Sequence, residues 1–121
     1  MKVSIAKSNL LSSPLCLGAS NFGATIPQAE AFTLMDAFVD LGGNFLDTAE
    51  VYANWIPTLP RSISERTIGA WLKARGNRSR ILIGTKGAHP DLATMHIARL
   101  APADIRHDLH GSLAHLQTDV I

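Results

Sequence analysis

The chain has 121 residues, of which 46% are hydrophobic and 17% are charged, and its formal net charge is +1. A chain of this length can bury one hydrophobic core, and this balance is typical of a globular domain rather than a disordered or fibrous one. Its single cysteine, Cys16, excludes an internal disulfide. No basic patch interleaved with aromatic residues indicates a nucleic-acid partner, and no apolar run is long enough to span a bilayer.

The first apolar run imitates a signal peptide, but Ser12, Ser13 and Pro14 make it too short for one. We therefore predict one cytoplasmic domain over residues 1–121, with neither nucleic acid nor membrane as its partner.

Short apolar runs recur along the chain. The runs at 13–18, 44–47, 80–86 and 118–121 are continuously hydrophobic, which is typical of parallel strands covered on both faces. A small hairpin is also predicted from Val3 to Leu11.

Three helical patterns lie between these runs. The first helix begins near Pro27, which favours an opening turn, and ends at Gly42, which suits a left-handed cap. The second begins at Ser62, which has capping-box spacing to Glu65 with Ser64 as a competing cap, and ends at "RG", 75–76. The third opens at "APAD", 101–104. Its apolar residues lie on one side and are Ile105, Leu109, Leu113 and Leu116.

Alternating strands and helices predict an α/β fold with a parallel sheet and right-handed crossovers. Periodicity alone fits either an open doubly wound sheet or a closed (β/α)8 barrel. The carboxyl ends of the strands carry the chemistry in both, and Gly18, Asp47 and Lys86 fall there. No G-x-G-x-x-G follows the first strand, so the barrel is favoured.

Asp47, Tyr52 and Lys86 form a candidate proton-transfer site at that edge. Neighbouring strands lie roughly 5 Å apart, so Asp47 and Lys86 can pair. A free tyrosine has a pKa of about 10 and is a poor acid until a nearby cation favours its phenolate. Asp47 would hold Lys86 charged, so that Tyr52 can give a proton to an oxygen that becomes anionic.

Other interpretations of these residues stay open at this point. Taken singly, an aspartate that caps a loop, a tyrosine that packs at a rim and a solvated lysine are all common. Lys86 could equally be the Schiff-base lysine of an aldolase-type barrel. His107 and His110 share a helix face, but no carboxylate or cysteine set completes a metal site, so none is predicted.

Three blocks, "LGGNFLDTAEVY", "SERTIGAWLK" and "ILIGTKG", occur in this order. They resemble the aldo-keto reductase family, whose members carry a G-x-N-x-x-D-T-A-x-x-Y block, an S-E-x-x-x-G helix and a strand that ends in T-K. "LCLGASNFG" is similar to the family's first strand and turn, and "DIRHDLHGSLAHLQTDVI" to its third helix and the approach to strand four. The resemblance covers essentially the whole chain.

The resemblance implies a TIM barrel of which this chain is the N-terminal portion, truncated within strand 4. It implies a reductase of aldehydes or ketones with NADPH, or less often NADH, as its cofactor. Asp47, Tyr52 and Lys86 would be three members of the family's catalytic tetrad, with Tyr52 as general acid. The tetrad histidine follows strand four, so none of this chain's five histidines takes that role.

Further expectations follow from the resemblance. Gly18, Ala19 and Ser20, together with Asp47, would approach the nicotinamide end of the cofactor. Trp55 and His89 would line the pocket for a small-molecule carbonyl substrate. The 121-residue chain alone is expected to be inactive and open to self-association, since a partial barrel exposes a parallel edge at its first and fourth strands. The alternative of another class is a non-catalytic binding or assembly subunit.

Overall fold

The computed structural model describes residues 1–121 as a hairpin followed by three strand–helix units. The elements in chain order are β1 (Val3–Ser4), β2 (Leu11–Ser12), β3 (Leu17–Gly18), α1 (Gln28–Asp40), β4 (Phe45–Asp47), α2 (Ile63–Arg75), a 3₁₀ turn (Arg78–Arg80), β5 (Leu82–Gly84) and α3 (Pro102–Leu116). The predicted hairpin forms, with β1 and β2 antiparallel. The predicted alternation of strands and helices is confirmed as far as α3. None of the helices has the length and apolarity needed to cross a membrane.

β3, β4 and β5 form a parallel sheet in that order, as predicted. Its register places Gly18 beside Asp47, and Asp47 beside Gly84. The three strands therefore end at one level, and whatever follows them meets at one rim.

The core lies between this sheet and the helices. Leu46 and Ile83 are paired neighbours in the sheet, and both are buried against a cluster that includes Trp71 and Met35. Because side chains alternate along a strand, Phe45 and Leu82 point to the opposite face. Both side chains are only half-buried. The sequence pattern predicted that both faces of the sheet are covered, but only the face toward the helices is.

The fourth strand predicted at 118–121 does not form, and this prediction is wrong for the chain. Arg78 donates a hydrogen bond from Nε to the Thr118 hydroxyl at 2.9 Å and another to the carbonyl of Val120. These contacts hold the last residues against the 3₁₀ turn rather than against β5. The outer edge of β5 is consequently unpaired.

The glycine ends predicted for the first two helices are confirmed. Gly42 and Gly76 have φ values of +90° and +58°, in the left-handed region that favours glycine. The capping box predicted at the start of α2 does not form. Ser62 has a left-handed backbone with φ +57°, its hydroxyl lies 3.2 Å from a Glu50 carboxylate oxygen, and Glu65 binds other elements instead of the cap.

The apolar side of α3 is only partly buried. Ile105 and Leu109 are 49% and 41% exposed, whereas Asp108 and Ser112 are buried with Leu116. Asp108 turns inward because its carboxylate accepts a hydrogen bond from the backbone N–H of Ala88, which follows β5.

Gly69 explains the close packing of α2 against α3. A Cβ atom at this position would lie 2.3 Å from the carbonyl oxygen of His115 and 2.9 Å from the backbone of Leu116. Only a residue without a side chain permits this approach.

Candidate active site

The rim formed by the ends of the parallel strands brings Asp47, Tyr52 and Lys86 together. Lys86 Nζ lies 2.8 and 2.9 Å from the two carboxylate oxygens of Asp47. It lies 2.7 Å from the carbonyl oxygen of Thr48 and 3.2 Å from the Tyr52 hydroxyl oxygen. The neighbouring strand ends predicted from the sequence thus produce direct contact.

The hydrogen-bond directions in this cluster are informative. A lysine ammonium carries three donors and no acceptor, so Lys86 donates to a carboxylate, a carbonyl and a phenolic oxygen. Tyr52 accepts from Lys86, which leaves its own O–H free to donate elsewhere. Lys86 Nζ also lies 5.0 Å from the centroid of the Tyr52 ring. The phenol oxygen of Tyr52 therefore accepts a hydrogen bond from a cation.

The ammonium of Lys86 is favoured in its charged form. Partial burial alone would lower its pKa, but the hydrogen bonds with Asp47 and Tyr52 outweigh burial and raise the pKa above that of an ordinary lysine. The side chains of Lys86 and Asp47 are 52% and 42% exposed, so solvent screens part of this attraction. The site is open to solvent and accessible to a ligand.

The loop that carries Tyr52 is fixed by Glu50. The backbone N–H of Glu50 donates to the Lys86 carbonyl at 2.9 Å. Its side-chain oxygen accepts from Arg61 at 3.3 Å and from Ser62 at 3.2 Å. One residue therefore ties the loop both to the rim and to the start of α2.

The residues predicted to approach a cofactor differ in placement. Gly18 and Ser20 are exposed, and a Cβ at Gly18 would meet no atom within 4 Å. The side chain of Ala19 is buried in the core instead. Its N–H donates to the Asp47 carbonyl at 2.9 Å and its carbonyl accepts from the Ser64 hydroxyl at 2.6 Å, so Ala19 supports the rim from behind.

Trp55 and His89, the residues predicted for a substrate pocket, lie on the two loops that follow β4 and β5. Trp55 is 56% exposed. His89 is half-buried, with Nδ1 2.7 Å from the Pro90 carbonyl oxygen. Neither side chain makes a hydrogen bond with the three-residue cluster.

Sequence reasoning missed several polar residues behind the rim. The Thr48 and Ser64 hydroxyls lie 2.7 Å apart and are both buried. Glu65, fully buried, accepts a hydrogen bond from Thr85 at 2.6 Å. The position of Thr48 directly after Asp47 could have identified it as a residue of the rim. Nothing in the sequence distinguishes Glu65 from a capping glutamate.

A parallel α/β layer with a polar cluster at its carboxyl ends occurs in barrel enzymes and in doubly wound sheets. The chain belongs to the aldo/keto reductase family, whose sequence model matches residues 14–121. This confirms the resemblance and the fold class predicted from the sequence.

Several curated proteins are similar to this chain. Norsolorinic acid reductase B of Dothistroma septosporum is 42% identical over 90% of this chain and 29% of its own length. The aryl-alcohol dehydrogenase [NADP(+)] of Phanerodontia chrysosporium is 40% identical over 61% of this chain and 20% of its own length. The chain thus spans less than a third of the length of these relatives.

Solved structures give the same result for the fold. An aldo-keto reductase from Bacillus halodurans, in its holo form, superimposes with a TM-score of 0.77 at 30% identity, over 99% of this chain and 37% of its own. A Pseudomonas aeruginosa protein described as an aldo-keto reductase gives a TM-score of 0.81 at 32% identity, over 98% and 43%.

Proposed function

We propose that Asp47, Tyr52 and Lys86 are the proton-delivering part of an NAD(P)H-dependent reductase of aldehydes or ketones. One observation carries this proposal: Lys86 Nζ is held by both oxygens of Asp47 while it lies 3.2 Å from the Tyr52 oxygen. The names of the similar proteins, which include reductases and an alcohol dehydrogenase, agree with it.

Each residue has a defined role in this proposal. Tyr52 donates its proton to the carbonyl oxygen of the substrate as negative charge develops there. Lys86 stabilises the phenolate that remains, because its ammonium already donates to the same oxygen. Asp47 keeps Lys86 charged and directed at Tyr52.

The rim fits a nicotinamide cofactor in its chemistry. Gly18 lies beside Asp47 in the sheet register and leaves open space at the end of β3, and Ser20 is exposed. We assign these residues and Asp47 to cofactor binding, with a backbone role for Ala19. When bound, NADPH or NADH supplies the hydride, and the NADP(+) in the name of one relative favours NADPH.

The substrate side of the site is assigned to the two flanking loops. Trp55 offers an exposed aromatic ring on the loop after β4 and His89 a half-buried polar ring on the loop after β5, which suits a small carbonyl compound. Residues 1–121 would then be the N-terminal part of a barrel domain, consistent with the 29% and 37% of its relatives' lengths that the chain spans. The family's tetrad histidine would lie outside these residues, and the 121-residue chain alone would be inactive.

A lysine aldolase is disfavoured by the contacts of Lys86. All three ammonium donors have acceptors, and the raised pKa keeps the amine protonated and non-nucleophilic. Borohydride with a carbonyl substrate is therefore expected to leave Lys86 unmodified.

The alternative of a non-catalytic subunit is tested by the reading frame. An independent promoter and a clean stop after Ile121 would support that alternative.

The decisive variant for the reductase is Tyr52→Phe, made in the complete reading frame that contains these residues. We expect NADPH oxidation with a panel of aldehydes and ketones to fall by about 10²-fold or more, since the proton donor is lost. Cofactor affinity, measured by fluorescence titration, should stay unchanged. Substantial turnover by Tyr52→Phe would refute the assigned role.

A further inference from the structure

Thr85, the residue before Lys86, is bound on the helix side of the sheet, whereas Lys86 itself is bound at the rim. Beyond the end of β5 at Gly84 the side chains continue to alternate, so that Thr85 points toward the helices and Lys86 toward the opposite face. The Thr85 hydroxyl donates to Glu65 Oε1 at 2.6 Å. Glu65 is fully buried, and its other carboxylate oxygen lies 3.1 Å from His115 Nδ1.

Burying the Glu65 carboxylate carries a desolvation penalty that a purely structural contact would not require. A carboxylate that is removed from water must find partners for its oxygens, and each Glu65 oxygen has one, from a different element. The residue lies in the first turn of α2, where the helix dipole favours negative charge. Glu65 is therefore a fixed point to which the end of β5 is attached.

The backbone on the other side of Lys86 is fixed in the same manner. The N–H of Ala88, a residue with φ +62°, donates to the buried carboxylate of Asp108 at 2.7 Å. Arg99 binds both oxygens of Asp108 at 2.6 and 3.0 Å. Thr85 before Lys86 and Ala88 after it thus both bond to buried carboxylates.

We propose that Glu65 is a positioning residue, which acts through the Thr85 hydroxyl to set where the Lys86 ammonium lies relative to Asp47 and Tyr52. The role of that ammonium rests on the proposed function, but its position does not. Loss of the hydroxyl frees the end of β5 to shift, and the paired contacts of Lys86 at the rim then lengthen.

The test replaces Thr85 by Val, which removes the hydroxyl without changing any charge. The Lys86 pKa, read from Nζ resonances by NMR in the complete protein that contains these residues, should fall toward that of an ordinary lysine. Thr85→Ser keeps the hydroxyl and should retain the wild-type titration. Thr67→Val is the matched control, because the Thr67 hydroxyl is buried in α2 but has no hydrogen-bond partner.

Two results decide the proposal. A folded Thr85→Val variant whose Lys86 titrates as in the wild type would overturn it, as would an equal shift in Thr67→Val. If circular dichroism shows that Thr85→Val is unfolded, the smaller Thr85→Ala is read by the same criterion. This readout needs no turnover, so it remains valid even if Tyr52→Phe proves active. In an active complete enzyme, Thr85→Val should lower kcat on the order of tenfold to a hundredfold and leave cofactor affinity unchanged.

Discussion

At the residue scale, the three candidate catalytic residues were predictable because each lies at or just after the end of a parallel strand. Strand ends meet at one rim, so Asp47 and Lys86 could be paired from the sequence alone. The residues that support these three side chains could not be predicted from the sequence. Glu65 occupies a position where capping is common, and its true partners, Thr85 and His115, are 20 and 50 residues away in the chain.

Asp108 should contribute a pH-dependent part of the stability. Burial alone would raise its pKa, but hydrogen bonds from Arg99 and the Ala88 N–H lower the pKa below that of a free aspartate. The contribution is therefore present above the unfolded pKa of about 3.9 and is lost as the pH falls through the lower folded pKa.

We expect Asp108→Asn to reduce the free energy of unfolding at neutral pH by about 1–3 kcal/mol, because Arg99 loses its charged partner. Urea denaturation at neutral pH and in acid measures this, and the difference between variant and wild type should shrink in acid. Asp36→Asn, which disrupts the exposed pair with Arg75, is the control and should cost less. A difference that is constant with pH would contradict this account of Asp108.

At the scale of elements, helices were located correctly but their buried faces were not always identified. The glycine ends of α1 and α2 depend on local backbone geometry, which sequence indicates well. The face of α3 depends on distant partners: Asp108 turns inward to meet Ala88 and Arg99, and Ile105 is left half-exposed. Hydrophobic periodicity contains no information about such polar partners.

The contact between α2 and α3 gives a prediction at this scale. Gly69→Ala should lower the free energy of unfolding by about 1–3 kcal/mol, since the added methyl group would overlap backbone of α3. Thermal melts followed by circular dichroism measure the effect.

Gly111→Ala provides the matched control within α3. A Cβ there would meet only His115 Cε1, at 4.0 Å. This substitution should therefore be neutral or stabilise by roughly 0.5–1 kcal/mol through helix propensity. If both variants behave alike, close packing is not the reason for glycine at position 69.

At the scale of the whole molecule, the sheet is covered on one face only. Beside the unpaired edge of β5 lies an apolar cavity of about 530 Å³, lined by residues that include Phe45, Leu82 and the exposed Val120. Open strand edges next to apolar surface are templates for association. The sequence predicted open edges at the first and fourth strands, but residues 118–121 form no strand, so the open edge lies at β5 instead. The sequence does not reveal that Arg78 binds these last residues.

We expect the 121-residue chain to self-associate through this surface. Sedimentation velocity should show a concentration-dependent mass above that of the monomer, and Val120→Lys should shift the distribution toward monomer. Leu41→Lys changes a residue that is 89% exposed elsewhere and should have no such effect. A cooperative melt at strictly monomeric mass would contradict this prediction.

The central claim is that Asp47 holds a charged Lys86 against Tyr52, and titration of Lys86 by NMR tests it most directly. The Lys86 pKa is predicted to lie above that of an ordinary lysine, so its contribution to stability is present at neutral pH and is lost as the pH rises through the folded value. In Asp47→Asn the Lys86 pKa should fall, because the largest favourable partner is removed. A Lys86 pKa at or below the ordinary value, or one that Asp47→Asn leaves unchanged, would contradict the claim.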